Sequence, residues 1–286
     1  MKNDRLRVSP GHKVDLDDFS PGETLGFRDK AEAKDKLVRD LERLRNLHDV
    51  FYAARSHALL IVLQALDAAG KDGVVEHVIS GLNPQGVRVT SFRAPNSAEL
   101  AHDFLWRHAL VLPARGEIAI FNRSHYEEVL TVRVHPELLA HQTLPDTGGD
   151  IWRQRFEDIN AFERHLARSG TVILKFFLHV SHEEQRKRLL ARIDEPDKNW
   201  KFEAGDLRER ALWSAYEQAF EAALEHTSTD WAPWYVVPAD HKWLTRCAVA
   251  DILVSTLEGL KLEYPKIDEA QRAVLRQARI ELQRED

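Results

Sequence analysis

Cysteine is almost missing from this chain: one residue, Cys247, in 286. No disulfide can close within it, and a cysteine-rich metal site is excluded. Cys247 falls in the apolar helical run 247–254, where a thiol reads as inert core. Long hydrophobic runs are also missing. No stretch approaches the roughly 20 apolar residues that cross a bilayer, and Met1-Lys-Asn-Asp-Arg-Leu-Arg leads into polar sequence instead of an apolar export segment. A soluble, cytoplasmic protein without a membrane partner is the expectation. Positive charge is in deficit, with 40 Lys and Arg against 46 Asp and Glu. That balance argues against a surface built for nucleic acid. The 14 histidines include no H-E-x-x-H spacing, and His125 and His241 read as polar surface or satisfied core. Hydrophobic residues make up 43% of the chain, enough for one large α/β domain with a substantial core.

Against these absences stands one informative segment. Leu59 to Leu63 is continuously apolar, as a parallel strand covered on both faces should be. It runs into Asp67-Ala-Ala-Gly-Lys-Asp-Gly73, after which Val74, Val75, Val78 and Ile79 recur at roughly helical spacing. A strand, a glycine-containing turn with a lysine, and a helix make a phosphate-holding loop. Glycine lets the backbone approach phosphate oxygens, free N–H groups point at the anion, and the ammonium adds a full charge. The usual pattern is G-x-x-x-x-G-K-[ST]. Here Ala65 stands at the first glycine and Asp72 replaces the hydroxyl that would ligate Mg²⁺. Another oxygen must then hold a metal, and Asp67 is the nearest carboxylate. The competing interpretation is an ordinary strand-to-helix turn with a solvated lysine.

The remainder alternates strands with helices, the pattern of a largely parallel sheet. Leu37, Leu41, Leu44 and Leu47 predict an amphipathic helix over 30–55. Further strands are predicted at 86–92, 116–121, 171–180 and 234–238. Helices are expected at 99–108 capped by Ser97, at 151–167, from a capping box at Ser181-His-Glu-Glu184, and at 245–260 as the closing element. Residues 145–150 read as a loop. Lys175, inside the fourth strand, has no account beyond an edge or ligand-facing position. Ligands of open parallel sheets bind beyond the carboxyl ends of the strands. Arg93, Asn122, Arg123 and the Asp67–Lys71 loop all fall at such ends, so they are expected in one crevice, although single arginines there also suit surface ion pairs. Residues 194–206 interrupt helical periodicity where small nucleotide kinases place a lid. Arg186, Arg188, Arg192, Lys198, Lys201, Arg208 and Arg210 concentrate cations around it, which is also how a solvated helical face looks.

Four separated segments, Asp67–Gly73, Phe121-Asn-Arg-Ser-His-Tyr126, Lys198-Asn-Trp-Lys-Phe202 and Ala232–Lys242, together resemble the polyphosphate kinase 2 family, over about residues 10–262. The likeness is closest to the class acting on nucleoside mono- and diphosphates. It implies an α/β P-loop kinase fold, thymidylate-kinase-like, with a parallel five-stranded sheet flanked by helices and a helical lid. Within a single domain over 1–286, it divides the chain into an N-terminal extension and helix (1–57), a core with the phosphate loop (58–185), a lid (186–210), and core completion with C-terminal helices (211–286).

The resemblance implies Mg²⁺ as cofactor, with Mn²⁺ an alternative, and inorganic polyphosphate as donor. Acceptors would be adenine nucleotides, guanine nucleotides being left open, and the assembly a homodimer or homotetramer. Carried over by motif, Asp67 would bind the metal and Lys71 would grip the phosphates, with Arg123 the third catalytic group. Arg93, Arg107, Asn122, Arg123 and Glu127 would hold the nucleotide. The polymer would lie along Ala68, Ala69, Gly70, Lys71, Asp72 and Gly73, and then along Arg186, Arg192, Lys198, Lys201 and Arg208. Related enzymes carry aspartate where this chain has Asn122. Glu127 or Glu128 could supply the missing charge, or could simply begin an exposed helix. Among six tryptophans considered for base stacking (106, 200, 213, 231, 234 and 243), each is more readily core. The expected reaction is reversible transfer of the terminal phosphoryl group of polyphosphate to AMP and ADP. The alternatives are an ATP-dependent nucleoside monophosphate kinase and a non-catalytic nucleotide- or polyphosphate-binding regulator.

Overall fold

Alternation along the first strand organises the molecule. The computed structural model describes residues 3–145 and 149–285. Strand β1 (Ala58–Gln64) is buried throughout. Successive side chains point to opposite faces, so Leu59, Ile61 and Leu63 enter one core layer while Leu60 and Val62 enter the other. Helix α1 (Lys30–Ala54) lies on the first face and the helix Lys242–Gly259 packs beside it, contributing Val249, Ile252 and Leu253. Helices from the middle of the chain cover the second face with Phe156, Ile159, Phe220 and Leu224.

The strands β1, β2 (Val87–Ser91), β3 (Ile118–Asn122), β4 (Thr171–His179) and β5 (Trp234–Pro238) form one sheet, ordered β2-β3-β1-β4-β5 and parallel throughout. Register pairs Asn122 with both Leu63 and Ser91. The carboxyl ends of three neighbouring strands therefore emerge side by side, and a crevice opens there.

Between the strands lie α2 (Lys71–Val74), which continues as a π-turn over Val75–Ile79, then α3 (Ser97–Leu100), α4 (Trp106–Ala109) and α5 (Thr131–Val134). After them come α6 (Ile151–Arg168), α7 (His182–Asp194), α8 (Gly205–Ala211) and α9 (Trp213–Thr227). The Lys242–Gly259 helix is α10, and α11 (Glu269–Leu282) follows it. A 3₁₀ turn over Pro196–Lys201 occupies the interrupted lid segment between α7 and α8.

Several expectations need correction. The single helix over 99–108 is two short helices, because Leu105 N–H donates to Asp103 Oδ1 at 2.9 Å, and such a local side-chain bond competes with helix continuation. The cap is Asn96, not Ser97, in a reciprocal capping box with Glu99. Helix α10 does not close the chain, since α11 follows with its own capping box from Asp268 and Gln271. Lys175 is neither at an edge nor ligand-facing; it is fully buried in β4 and donates to Glu163 Oε2 at 2.6 Å. The loop expected at 145–150 lies partly outside the described residues, which omit 146–148. Cys247 is buried, and burial pushes its thiol up to about 11, in keeping with inert core.

Candidate active site

Two backbone positions shape the phosphate loop between β1 and α2. Ala68 and Gly70 adopt left-handed φ values of 61° and 114°. Glycine reaches this region without cost, whereas alanine must be held there. Arg188 of α7 does the holding. Its Nη1 donates to the carbonyls of Ala68 and Ala69 at 3.0 and 2.9 Å, and its Nη2 to those of Ala239 and Asp240 at 2.6 and 3.0 Å. One guanidinium thus ties the loop to the chain leaving β5. Gln185 adds a bond to the Asp67 carbonyl at 3.0 Å.

Lys71 points back over this loop and donates to Ala65 O at 2.8 Å. It keeps some accessible surface, yet enough protein surrounds the ammonium that burial lowers its pKa to about 8. Arg123 adds to the shift, while Asp67, Glu127 and Asp72 oppose it. A binding anion would restore the charged form.

At the end of β3 a second left-handed residue appears, Arg123 with φ 62°. This bend aims its side chain across to the phosphate loop, where Nη2 meets Asp67 Oδ1 at 2.9 Å and Nη1 lies 3.7 Å from Glu127 Oε2. The Glu127 charge, against the cost of burial, raises the Arg123 pKa further. Glu127 is itself fixed by Thr131 Oγ1 at 2.6 Å. Gln64, with its amide oriented to satisfy both ends, donates to Glu127 Oε1 at 3.0 Å. Asn122 donates to Asp72 Oδ1 at 2.8 Å, a second bridge from β3 to the loop.

These groups border two cavities. The larger, about 770 Å³, is walled by the phosphate loop, by Arg192, Lys198 and Lys201 from the lid segment, and by Lys242 and Arg246 of α10. The smaller, about 310 Å³, is lined by Phe92, Leu100, Phe104, Leu138 and Leu144 together with Arg93, Arg107 and Glu127. Arg123 and Arg93 border both. A strongly cationic chamber therefore opens onto a more apolar one across a guanidinium, which suits an extended polyanion meeting a molecule with an apolar ring.

The structure brings most of the expected residues to these walls. Ala68 to Gly73, Asp67, Asn122, Arg192, Lys198 and Lys201 line the larger cavity, whereas Arg107 and Glu127 line the smaller. Arg186 and Arg208 line neither and are exposed. Arg188, one of the cations around the lid, lines the larger cavity but has its guanidinium committed to backbone carbonyls. Glu128 is not an exposed helix start but is buried against Arg155 at 2.9 Å. Burial raises its pKa, with Arg155 and Gln142 opposing the shift. No tryptophan lines either cavity.

Lys242 and Arg246 were given no role by sequence reasoning. Their spacing of four residues, directly after a strand, was the available signal: it puts both on one face of α10. Arg246 Nη2 lies 3.4 Å from where a Cβ on Gly73 would sit, which brings this guanidinium against the phosphate loop. Among the described residues, no group of three or more His, Cys, Asp or Glu is placed to hold a metal.

The sequence profile of the polyphosphate kinase 2 family matches residues 27–265. An ADP-polyphosphate phosphotransferase of Rhodopseudomonas palustris is 49% identical over 99% of both chains. An AMP/ADP-polyphosphate phosphotransferase of Meiothermus ruber is 47% identical, over 95% of this chain and 98% of the relative. Among solved structures, a polyphosphate kinase 2 from Arthrobacter aurescens superposes with a TM-score of 0.86 at 42% identity, covering 95% of each chain.

Proposed function

Because the chain belongs to the polyphosphate kinase 2 family, we propose that it transfers the terminal phosphoryl group of inorganic polyphosphate to AMP and ADP, reversibly. The observation that carries this reading is Arg123, which borders both cavities and pairs with Asp67 at 2.9 Å. Polyphosphate would lie in the larger cavity, gripped by Lys71 and by Lys198, Lys201, Lys242 and Arg246. The acceptor's phosphates would face Arg93, Arg107 and Arg123, its base resting in the apolar part of the smaller cavity.

In the transfer, an anionic oxygen of the acceptor attacks the terminal phosphorus of the polymer. A new P–O bond forms as the bond to the bridging oxygen breaks. The electron pair stays on that oxygen, and the polymer leaves one unit shorter. The attacking oxygen is already ionised at neutral pH, so no strong base is required. The transition state is loose, with charge spread over peripheral oxygens, and positioning with cationic stabilisation supplies most of the rate. Lys71 and Arg123 flank the phosphoryl group in flight, Arg123 reaching it from the border of the two chambers.

A divalent metal suits the phosphate loop, whose two carboxylates, Asp67 and Asp72, both face the larger cavity, because Mg²⁺ is commonly bound by one or two carboxylates with substrate phosphates and water. Bound there, Mg²⁺ or Mn²⁺ would neutralise phosphate charge. Asn122 donates to Asp72 instead of offering a carboxylate.

The test is purified protein with Mg²⁺, polyphosphate and AMP, without ATP, followed by chromatography. ADP and then ATP should accumulate, and the absence of ADP would remove the donor assignment.

A further inference from the structure

Lys175 and Glu163 form a fully buried ion pair that none of the chemistry above uses. Two formal charges removed from water are costly unless geometry and further hydrogen bonds compensate, and such a pair is weak evidence for stability as such. Here the compensation comes from the end of α9 and from the segment Phe121–Tyr126. Lys175 Nζ donates to Glu163 Oε2 at 2.6 Å, to Thr227 O at 2.7 Å and to the Tyr126 hydroxyl at 2.8 Å. The Tyr126 hydroxyl in turn donates to Glu163 Oε1 at 2.9 Å, and His125 Nε2 lies 3.3 Å from the same oxygen. Against burial, which favours the neutral acid, Lys175 and His125 hold Glu163 below the usual carboxylate range. Trp234 closes the cluster, its ring stacked edge-on to Tyr126 and its Nε1 bonded to Thr227 Oγ1 at 2.9 Å.

Tyr126 stands three residues beyond Arg123 and one before Glu127. Arg123 sits at φ 62°, where a side-chain-bearing residue persists only if its surroundings over-determine it. On one side the ladder fixes it, Arg123 N–H donating to Leu63 O at 3.0 Å. On the other, Ser124 is buried and accepts from Tyr126 N–H at 3.2 Å, leaving Tyr126 as the anchor.

We infer that the buried Lys175–Glu163 pair, acting through the Tyr126 hydroxyl, is a positioning device that fixes the strand-end turn carrying Arg123 and Glu127. This rests on the proposed function for its assay. Lys175 and Glu163 touch no substrate; they set the angle at which Arg123 spans the two cavities.

The decisive variant is Tyr126→Phe, which deletes one hydroxyl and leaves the ion pair and the ring packing. Expected are a kcat at least tenfold lower, a severalfold higher KM for AMP, and a KM for polyphosphate within twofold of wild type. Calorimetric titration should show AMP binding weakened severalfold and polyphosphate binding unchanged, a readout independent of turnover. In an Arg123→Ala background, Tyr126→Phe should add less than twofold, because the two act as one unit. A second variant, Lys175→Met with Glu163→Leu, removes both charges together while keeping volume, and should lower kcat in the same direction.

A purely structural role would lower the melting temperature but leave kcat, KM and AMP affinity unchanged in the folded protein. That result overturns the inference, as does an equal loss in both backgrounds. Wild-type turnover in the same assay separates the two readings, since its absence would count against the donor assignment while AMP affinity still judges the positioning role.

Discussion

The phosphate-loop wall and the Pro196–Lys201 wall of the larger cavity carry cations of the same sign but hold them differently. On the loop side, Lys71 is enclosed and bonded to Ala65 O, and Arg188 is buried with five hydrogen bonds, four to carbonyls and one to Glu184. On the other side, Lys201 is exposed, and Lys198 keeps 45% of its side-chain surface while pairing with Glu195. Fixed charge needs no reorganisation when a transition state forms, whereas solvated charge attracts a polyanion at little structural cost and lets it slide. On the proposed function, the first wall serves the chemistry and the second holds polymer.

The sharpest break of that comparison would be equal kinetic effects from the two walls. Lys71→Ala should lower kcat about a hundredfold or more, roughly 3 kcal/mol of transition-state stabilisation, with Asp67→Asn similar. Steady-state rates at saturating polyphosphate measure both. Arg188→Ala should cost about 2–4 kcal/mol of stability by leaving buried carbonyls unpaired, read by urea unfolding, with kcat down roughly tenfold as Ala68 relaxes.

pH sharpens the contrast further. The Lys71 pKa lies near 8, below its ordinary 10.5. Its phosphate-gripping charged form is therefore present below about pH 8 and lost above it, so kcat/KM for polyphosphate should fall about tenfold per unit beyond that point. For stability the sign reverses. Between about 8 and 10.5 the unfolded chain holds a proton that the folded chain has released, so this group's contribution to unfolding free energy rises with pH. Lys71→Ala should abolish the high-pH limb; an unchanged profile would assign it elsewhere. The smallest effect belongs to the outer wall. Lys198→Ala with Lys201→Ala should raise the polyphosphate KM about threefold to tenfold at low salt and much less at high salt, with kcat nearly unchanged.

Local pattern carried much of this fold. The uninterrupted Leu59–Leu63 run announced a central parallel strand, and Gly70-Lys71 placed the phosphate loop, because both signals depend on neighbours in sequence. Asp103 shows local competition overlooked: its side chain caps a turn inside what periodicity reads as one helix. Other features were non-local. Nothing near Arg188 shows that its partners are carbonyls about 120 and 51 positions away, and nothing near Glu128 points to Arg155. Lys175 was visible as an anomaly in an apolar strand, but its meaning depends on Glu163 and Tyr126 arriving from other elements. Lys242 and Arg246 were within reach, as a four-residue cation repeat at a helix start.

The most direct measurement of the central claim is phosphorus NMR on protein mixed with Mg²⁺, AMP and polyphosphate. Direct transfer across Arg123 predicts that the β-phosphate signal of ADP grows as internal polyphosphate signal declines, with no orthophosphate released, and that Arg123→Ala suppresses both changes. Orthophosphate appearing without ADP, or undiminished ADP formation by Arg123→Ala, would contradict it.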